Sequence, residues 1–195
     1  MHTDTWAVSP AASLSYYRAA AAIGGAGALT LLKSEAVFNG VGVKLVINST
    51  GDDAATTYTV VGSALGVNGT ATETQAGGNT GTGTISTYYW QSITSITAGA
   101  AATGNVNIGF NASWALPRTR IRGVHYVGAA SAGSIVVNLN TTTGTQILKV
   151  DTPATATWAE YVNCGGGLLC GRGAGLTDFG VITATQVTLF TIFCS

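Results

Sequence analysis

Arg118, Arg120 and Arg122 alternate through the segment PRTRIRG, so a strand there would align their guanidiniums on one face. Such forks recognise carboxylates and phosphates in bidentate fashion. Lys and Arg total 8 against 8 Asp and Glu, which leaves little basic surface to track a nucleic-acid backbone. Contact with acidic residues of a partner protein is the better functional reading of the row. A solvated strand face, or pairing within the chain to Glu160 or Asp178, stays open beside it.

Other reactive side chains assemble into no recognisable apparatus. Cys164, Cys170 and Cys194 are an odd set and cannot form a closed disulfide framework. Reduced, buried thiols are expected, with a bond between Cys164 and Cys170 or a link between subunits as alternatives. His2 and His125 lie far from them in sequence and no Cys-x-x-Cys pair exists, so no metal is expected. The stretch NCGGGLLCGRGAG (residues 163–175) lacks the Gly-Lys-Ser/Thr ending of a phosphate loop, and its glycines are read instead as permitting positive φ or close approach of another backbone. A triad drawn from Cys164 or Cys170 with His125 and Asp178 has no support from spacing. The acidic residues are dispersed, which disfavours a paired-carboxylate site. Asp52 and Asp53 lack the regular Asp/Asn spacing of a calcium loop and are expected in a solvated turn. No enzymatic activity and no cofactor are expected.

The elements that would carry these residues are strands. Residues 41–110 alternate Thr, Val, Ile and Ala between turns rich in Gly and Asn, the pattern of half-buried strands in a sandwich or barrel. Strands are predicted over 42–48, 57–62, 71–75, 83–86, 89–96 and 104–110, then over 120–128, 133–140, 146–150 and 181–193. Asn68-Gly69 predicts a type I′ hairpin turn. Residues 151–163 are expected to cross between sheets, with Trp158 and Tyr161 as packing anchors. A short helix is predicted over 11–23, ended by Gly24-Gly25. The fold class expected is all-β, with antiparallel sandwich or jelly-roll-like units and an extended N-terminal arm. The boundaries are an arm over 1–35, a β-sandwich over 36–113, and a second β-domain or a continuation of the sandwich over 114–195. The segment reads either as an edge strand and loop laid on the first domain or as an arm that orders on a neighbouring subunit; Trp6, Tyr16 and Tyr17, large anchors among small residues, favour the arm.

Composition points the same way. Only 8% of the residues are charged, against about 25% in ordinary soluble domains. A neutral surface rich in Gly and Thr repels its copies weakly, which favours packing beside other proteins. Residues 19–32 form the longest apolar stretch, too short and too rich in Gly to span a membrane, and MHTDTWAVSP lacks the features of a secretory signal. Folding in a cytoplasm is expected.

Several short motifs together resemble a β-rich module found in structural proteins of tailed bacteriophages. They are the Gly51-Asp52-Asp53 turn, the T-V-x-G strand at 59–62, the strand GTATET at 69–74, one residue shorter than the G-x-x-x-T-E-T usual in such proteins, the segment 87–96 with Trp90 at the usual aromatic position, and the T-G-x-V-x-I-G strand at 103–109. GAGALTLL at 25–32 resembles the leader of such proteins. The likeness covers the first half to three fifths of the chain. It implies a virion protein assembled in the host cytoplasm, most simply a capsid decoration or cement protein. Its partner would be the major capsid protein or another virion protein, and it would be homo-oligomeric on the particle without contacting nucleic acid or membrane. A tail, collar or fibre-base component is the alternative. A carbohydrate-binding adsorption module using Tyr88, Tyr89 and Trp90 is another.

Overall fold

The computed structural model describes residues 4–8, 13–33, 41–117, 119–154, 159–170 and 179–194. All regular structure among them is strand. In chain order these are β1 (Asp4–Val8), β2 (Ser13–Ala21), β3 (Gly27–Ala28), β4 (Gly42–Ser49), β5 (Thr57–Ala64), β6 (Ala71–Ala76) and β7 (Thr84–Ala98). There follow β8 (Val106–Leu116), β9 (Thr119–Gly128), β10 (Gly133–Leu139), β11 (Gln146–Thr152), β12 (Ala159–Cys170), β13 (Gly180–Thr185) and β14 (Val187–Cys194). The protein is all-β, built of antiparallel sheets and consistent with a β-sandwich. It divides into two compact units, Ala11–Ser113 and a second made of Met1–Pro10 with Trp114–Ser195.

In the unit Ala11–Ser113, alternation in sequence becomes alternation in space. β5 buries Tyr58, Val60 and Ala64 and turns Thr57 out, as a strand with one face on a core must. β4 sits centrally, between β8 and β7, and buries Val43, Leu45 and Ile47. The pairing path β2, β8, β4, β7 returns toward its start, because Leu29 N donates to Ile96 O (2.8 Å) and Leu32 N to Tyr17 O (2.7 Å). Tyr17, Leu45, Ile47, Tyr58, Trp90 and Ile108 are among the residues of the core inside.

Residues 11–23 are not the predicted helix. β2 runs through them and pairs with β8, Ser13 opposite Phe110 and Ala21 opposite Val106. Alanine's preference for helix is worth only tenths of a kcal/mol per residue, whereas burying one large side chain contributes on the order of 2 kcal/mol. Tyr17 is fully buried in this strand. Gly109 supplies the room: a Cβ there would stand 1.8 Å from Ser13 O. Asn107 Nδ2 also donates to Leu14 O at 2.8 Å. The turn after β5 differs as well. Positive φ falls at Gly66 and Gly69 (80° and 85°) and not at Asn68, so the six-residue connection is not a type I′ hairpin.

The second unit has one sheet in the order β1-β14-β9-β12, and the ladder β11-β10-β13 continuing to residues 114–116 of β8. Val124, Tyr126, Phe190 and Ile192 are buried from the first, Ile135, Val137 and Val181 from the second. The predicted single strand over 181–193 is two. Gln186 adopts φ 52°, and this left-handed residue sends β13 to β10 and β14 to β9. Residues 151–163 do pass from β11 in one sheet to β12 in the other.

Within the expected N-terminal arm, the described strands β1 and β2 pair inside the chain, β2 as the edge-strand reading has it. β1 pairs with β14 along its whole length, Trp6 opposite Ile192, while β2 belongs to the other unit. An edge strand leaves N–H and C=O groups unpaired, and these N-terminal strands satisfy the edges of β14 and β8.

Candidate functional site

Among the sequence-nominated residues, the arginine row acquires the most definite setting. Both neighbours of β9 slip register at Arg122. On β14, Phe193 faces Gly123 and Cys194 faces Ile121; on β12, Asn163 faces Gly123 and Leu168 faces Ile121. Residues 164–167 therefore bulge from β12 beside Arg122. Gly165 and Gly167 make the bulge possible, with φ 58° and 89° that L side chains rarely adopt. Asn163 Oδ1 accepts from Gly165 N (2.8 Å), and Arg122 Nη1 donates to Gly166 O (2.8 Å). A Cβ at Gly167 would lie 3.2 Å from Arg122 Cδ and 3.3 Å from Arg120 Cβ, so the arginine stems cover this residue.

This geometry separates the two arginines by role. Arg122 is a structural donor to the glycine bulge. Arg120 is exposed, meets no carboxylate among the described residues, and lines a cavity of about 460 Å³ with Leu139, Thr145, Gln146, Ile147, Gly167 and Leu168. Arg118 lies outside the described residues. The stretch 163–170 is bulged strand, not a phosphate loop, and the positive φ expected of its glycines occurs at 165 and 167.

The aromatic candidates divide. Tyr17 is buried and cannot contact a partner, because its ring fills the core of the unit Ala11–Ser113. Tyr16 is half-buried, edge-on to Tyr17 (5.1 Å) and Phe110 (5.3 Å), with Lys33 Nζ 4.5 Å above its ring. Trp6 is placed on β1. Tyr89 and Trp90 are buried too, and Tyr88 lies edge-on to Trp90 at 5.7 Å, so no exposed aromatic platform forms there. Tyr161 is half exposed, edge-on to Phe193 at 5.5 Å. Trp158 and Asp178 lie outside the described residues. Neither Cys164 nor Cys194 forms a disulfide, so Cys164 is not bonded to Cys170. Burial pushes the Cys164 thiol up, away from the reactive thiolate.

Two polar centres escaped sequence reasoning. Asp53 is not solvated: it is 1% exposed and accepts hydrogen bonds from Ser49 Oγ, Thr103 Oγ1 (2.9 Å), Thr103 N and Gly104 N (3.4 Å). Burial raises its pKa, but the donors from Ser49, Thr103 and Gly104 outweigh this and hold the carboxyl below the usual range. The other centre repairs a bulge in β7. Leu45 alone stands opposite residues 86–88 between the pairs Lys44–Tyr89 and Val46–Ile85. Glu73 accepts from Thr87 N and Tyr88 N (3.2 Å), Lys44 Nζ donates to Ser86 O (2.9 Å) and Thr87 O, and Ser86 Oγ accepts from Leu45 N (2.9 Å). The signal that could have found the second centre is a lone charge, Lys44 or Glu73, inside a strand otherwise free of charge.

Among the described residues, no cluster of three or more His, Cys, Asp or Glu side chains could hold a metal ion. No family model, curated protein or solved structure matches this chain.

Proposed function

We propose that the chain is a structural protein of a bacteriophage virion, a decoration or cement protein that binds and stabilises the shell of the major capsid protein. The observation that carries this reading is how the motifs resembling phage structural modules bond to one another. The aspartate of the Gly-Asp-Asp turn, Asp53, clamps Thr103 and Gly104, which open the T-G-x-V-x-I-G strand. The glutamate of the T-E-T strand, Glu73, holds the β7 bulge at Thr87 and Tyr88. The T-V-x-G strand pairs residue for residue with the T-E-T strand, from Thr59–Thr74 to Gly62–Ala71. Scattered likenesses in sequence thus form one bonded module. The low charge of the chain supports the reading, since a surface with little self-repulsion suits a dense lattice.

Quantitative mass spectrometry of purified virions tests it. Copy number comparable with the shell protein is expected of a decoration lattice. A few copies per particle would assign the chain to a tail, collar or fibre base, and absence from particles would overturn the virion role. The carbohydrate-binding alternative loses its platform with Tyr89 and Trp90 buried.

A further inference from the structure

We propose that the cavity beside Arg120 is a receptor for a glutamate side chain on an extended peptide. Its volume, about 460 Å³, lies within the roughly 300–1,000 Å³ of ligand clefts. Its lining is of mixed chemistry. Arg120, Thr145 and Gln146 bring hydrogen-bond donors, while Leu139, Ile147 and Leu168 form an aliphatic wall. That pairing complements a carboxylate on a short apolar stem, because the guanidinium fork binds carboxylate oxygens bidentately and the wall covers the methylenes.

The site is built from both sides. Arg122 is already engaged by Gly166 O, and this bond fixes the bulge that places Gly167 against the Arg120 stem. With no Cβ at Gly167, the floor beside Arg120 stays open. A peptide is the favoured bearer of the carboxylate because the cavity borders β12, whose one strand partner among the described residues is β9. An extended segment entering the cavity would pair its main chain with the side of β12 turned away from β9. This inference does not depend on a place in the virion.

The test is amide NMR of the full chain titrated with the capped tripeptide acetyl-Leu-Glu-Leu-amide, its glutamine isostere, and free hexanoate. The glutamate peptide is expected to shift the Gly167 amide and the Gln146 side-chain amide saturably. Arg120→Gln should weaken it at least about tenfold, the scale of a lost charge-assisted hydrogen bond. Gln146→Glu, a hairpin substitution that adds a like charge, should do the same. Equal binding of the glutamine peptide, unchanged affinity in either variant, or no saturation at about 10 mM, near −3 kcal/mol of binding, would overturn the proposal. Hexanoate binding as tightly as the glutamate peptide would also overturn it, by removing the need for a peptide.

Discussion

At the scale of single residues, several of the few charges, among them Lys44, Asp53, Glu73 and Arg122, lie inside hydrogen-bond networks. Asp53 is the clearest case: a carboxylate with a depressed pKa contributes stability that is present above its unfolded pKa of about 3.9. That contribution is lost as pH falls through the lower folded value. Asp53→Asn should therefore cost about 1–3 kcal/mol at neutral pH, since an amide cannot accept from every donor Asp53 serves. Denaturant unfolding across pH should show a shallower loss of stability on the acid side in the variant. Tyr126 behaves oppositely. Burial, followed by its bond to Glu160 Oε2 (2.8 Å) and that residue's charge, raises its pKa to about 12. Its contribution is complete below the ordinary tyrosine pKa near 10 and is lost as pH rises through about 12. Absorbance titration should find several tyrosinates forming late, since burial also raises Tyr17, Tyr58 and Tyr89, and Glu160→Gln should move the Tyr126 step earlier while leaving the others in place. The single Asp-Asp turn is visible in the sequence, but beyond the nearby Ser49 its donors, Thr103 and Gly104, lie some fifty residues away, and a solvated turn is the natural local reading.

At the scale of elements, β2 and β7 show how tertiary partners override local preference. The alanines of residues 11–23 favour a helix in isolation, yet the edge of β8 and the absence of a side chain at Gly109 favour a strand. Gly109→Ala would drive a Cβ into the backbone of Ser13 and Leu14. We expect it to cost about 1–3 kcal/mol as overpacking does, and to speed protease cleavage within Ser13–Ala21. The strands predicted over 83–86 and 89–96 fall in one element, β7. It is one strand with a bulge that Lys44, Glu73 and Ser86 repair, so what separates the two predicted strands is not a turn. Glu73→Ala leaves the Thr87 and Tyr88 amides without their acceptor, and thermal unfolding should report a loss of about 1–3 kcal/mol.

At the scale of the whole molecule, the N-terminal segment divides its allegiance. Removing residues 1–10 deletes β1 alone and should raise hydrogen exchange in β14, leaving β4, β5 and β7 protected. Removing residues 1–21 also deletes β2 with Tyr17, and should destabilise the unit Ala11–Ser113. A detachable arm would leave both units unchanged in either truncation. Whether the chain then binds a shell is separate from whether it folds, so the virion assay and the exchange measurement report different things.

The all-β class was legible in the sequence by itself, because alternation of period two between Gly- and Asn-rich turns is a local property of each strand. So was the sheet crossing between residues 151 and 163, and positive φ as one of two roles for the glycines of 163–175, though only the structure places it at 165 and 167. The tertiary structure alone decided which charges are buried, which aromatics are exposed, and which strand lies beside which. Trp90 and Tyr17 look like anchors for a partner in one dimension; only the packing of the sheets around them turns them inward. Arg120 and Arg122 are equivalent by spacing, and become different only where β12 bulges against one of them. Strand pairing joins residues far apart in the chain, and neither propensity nor alternation carries that information.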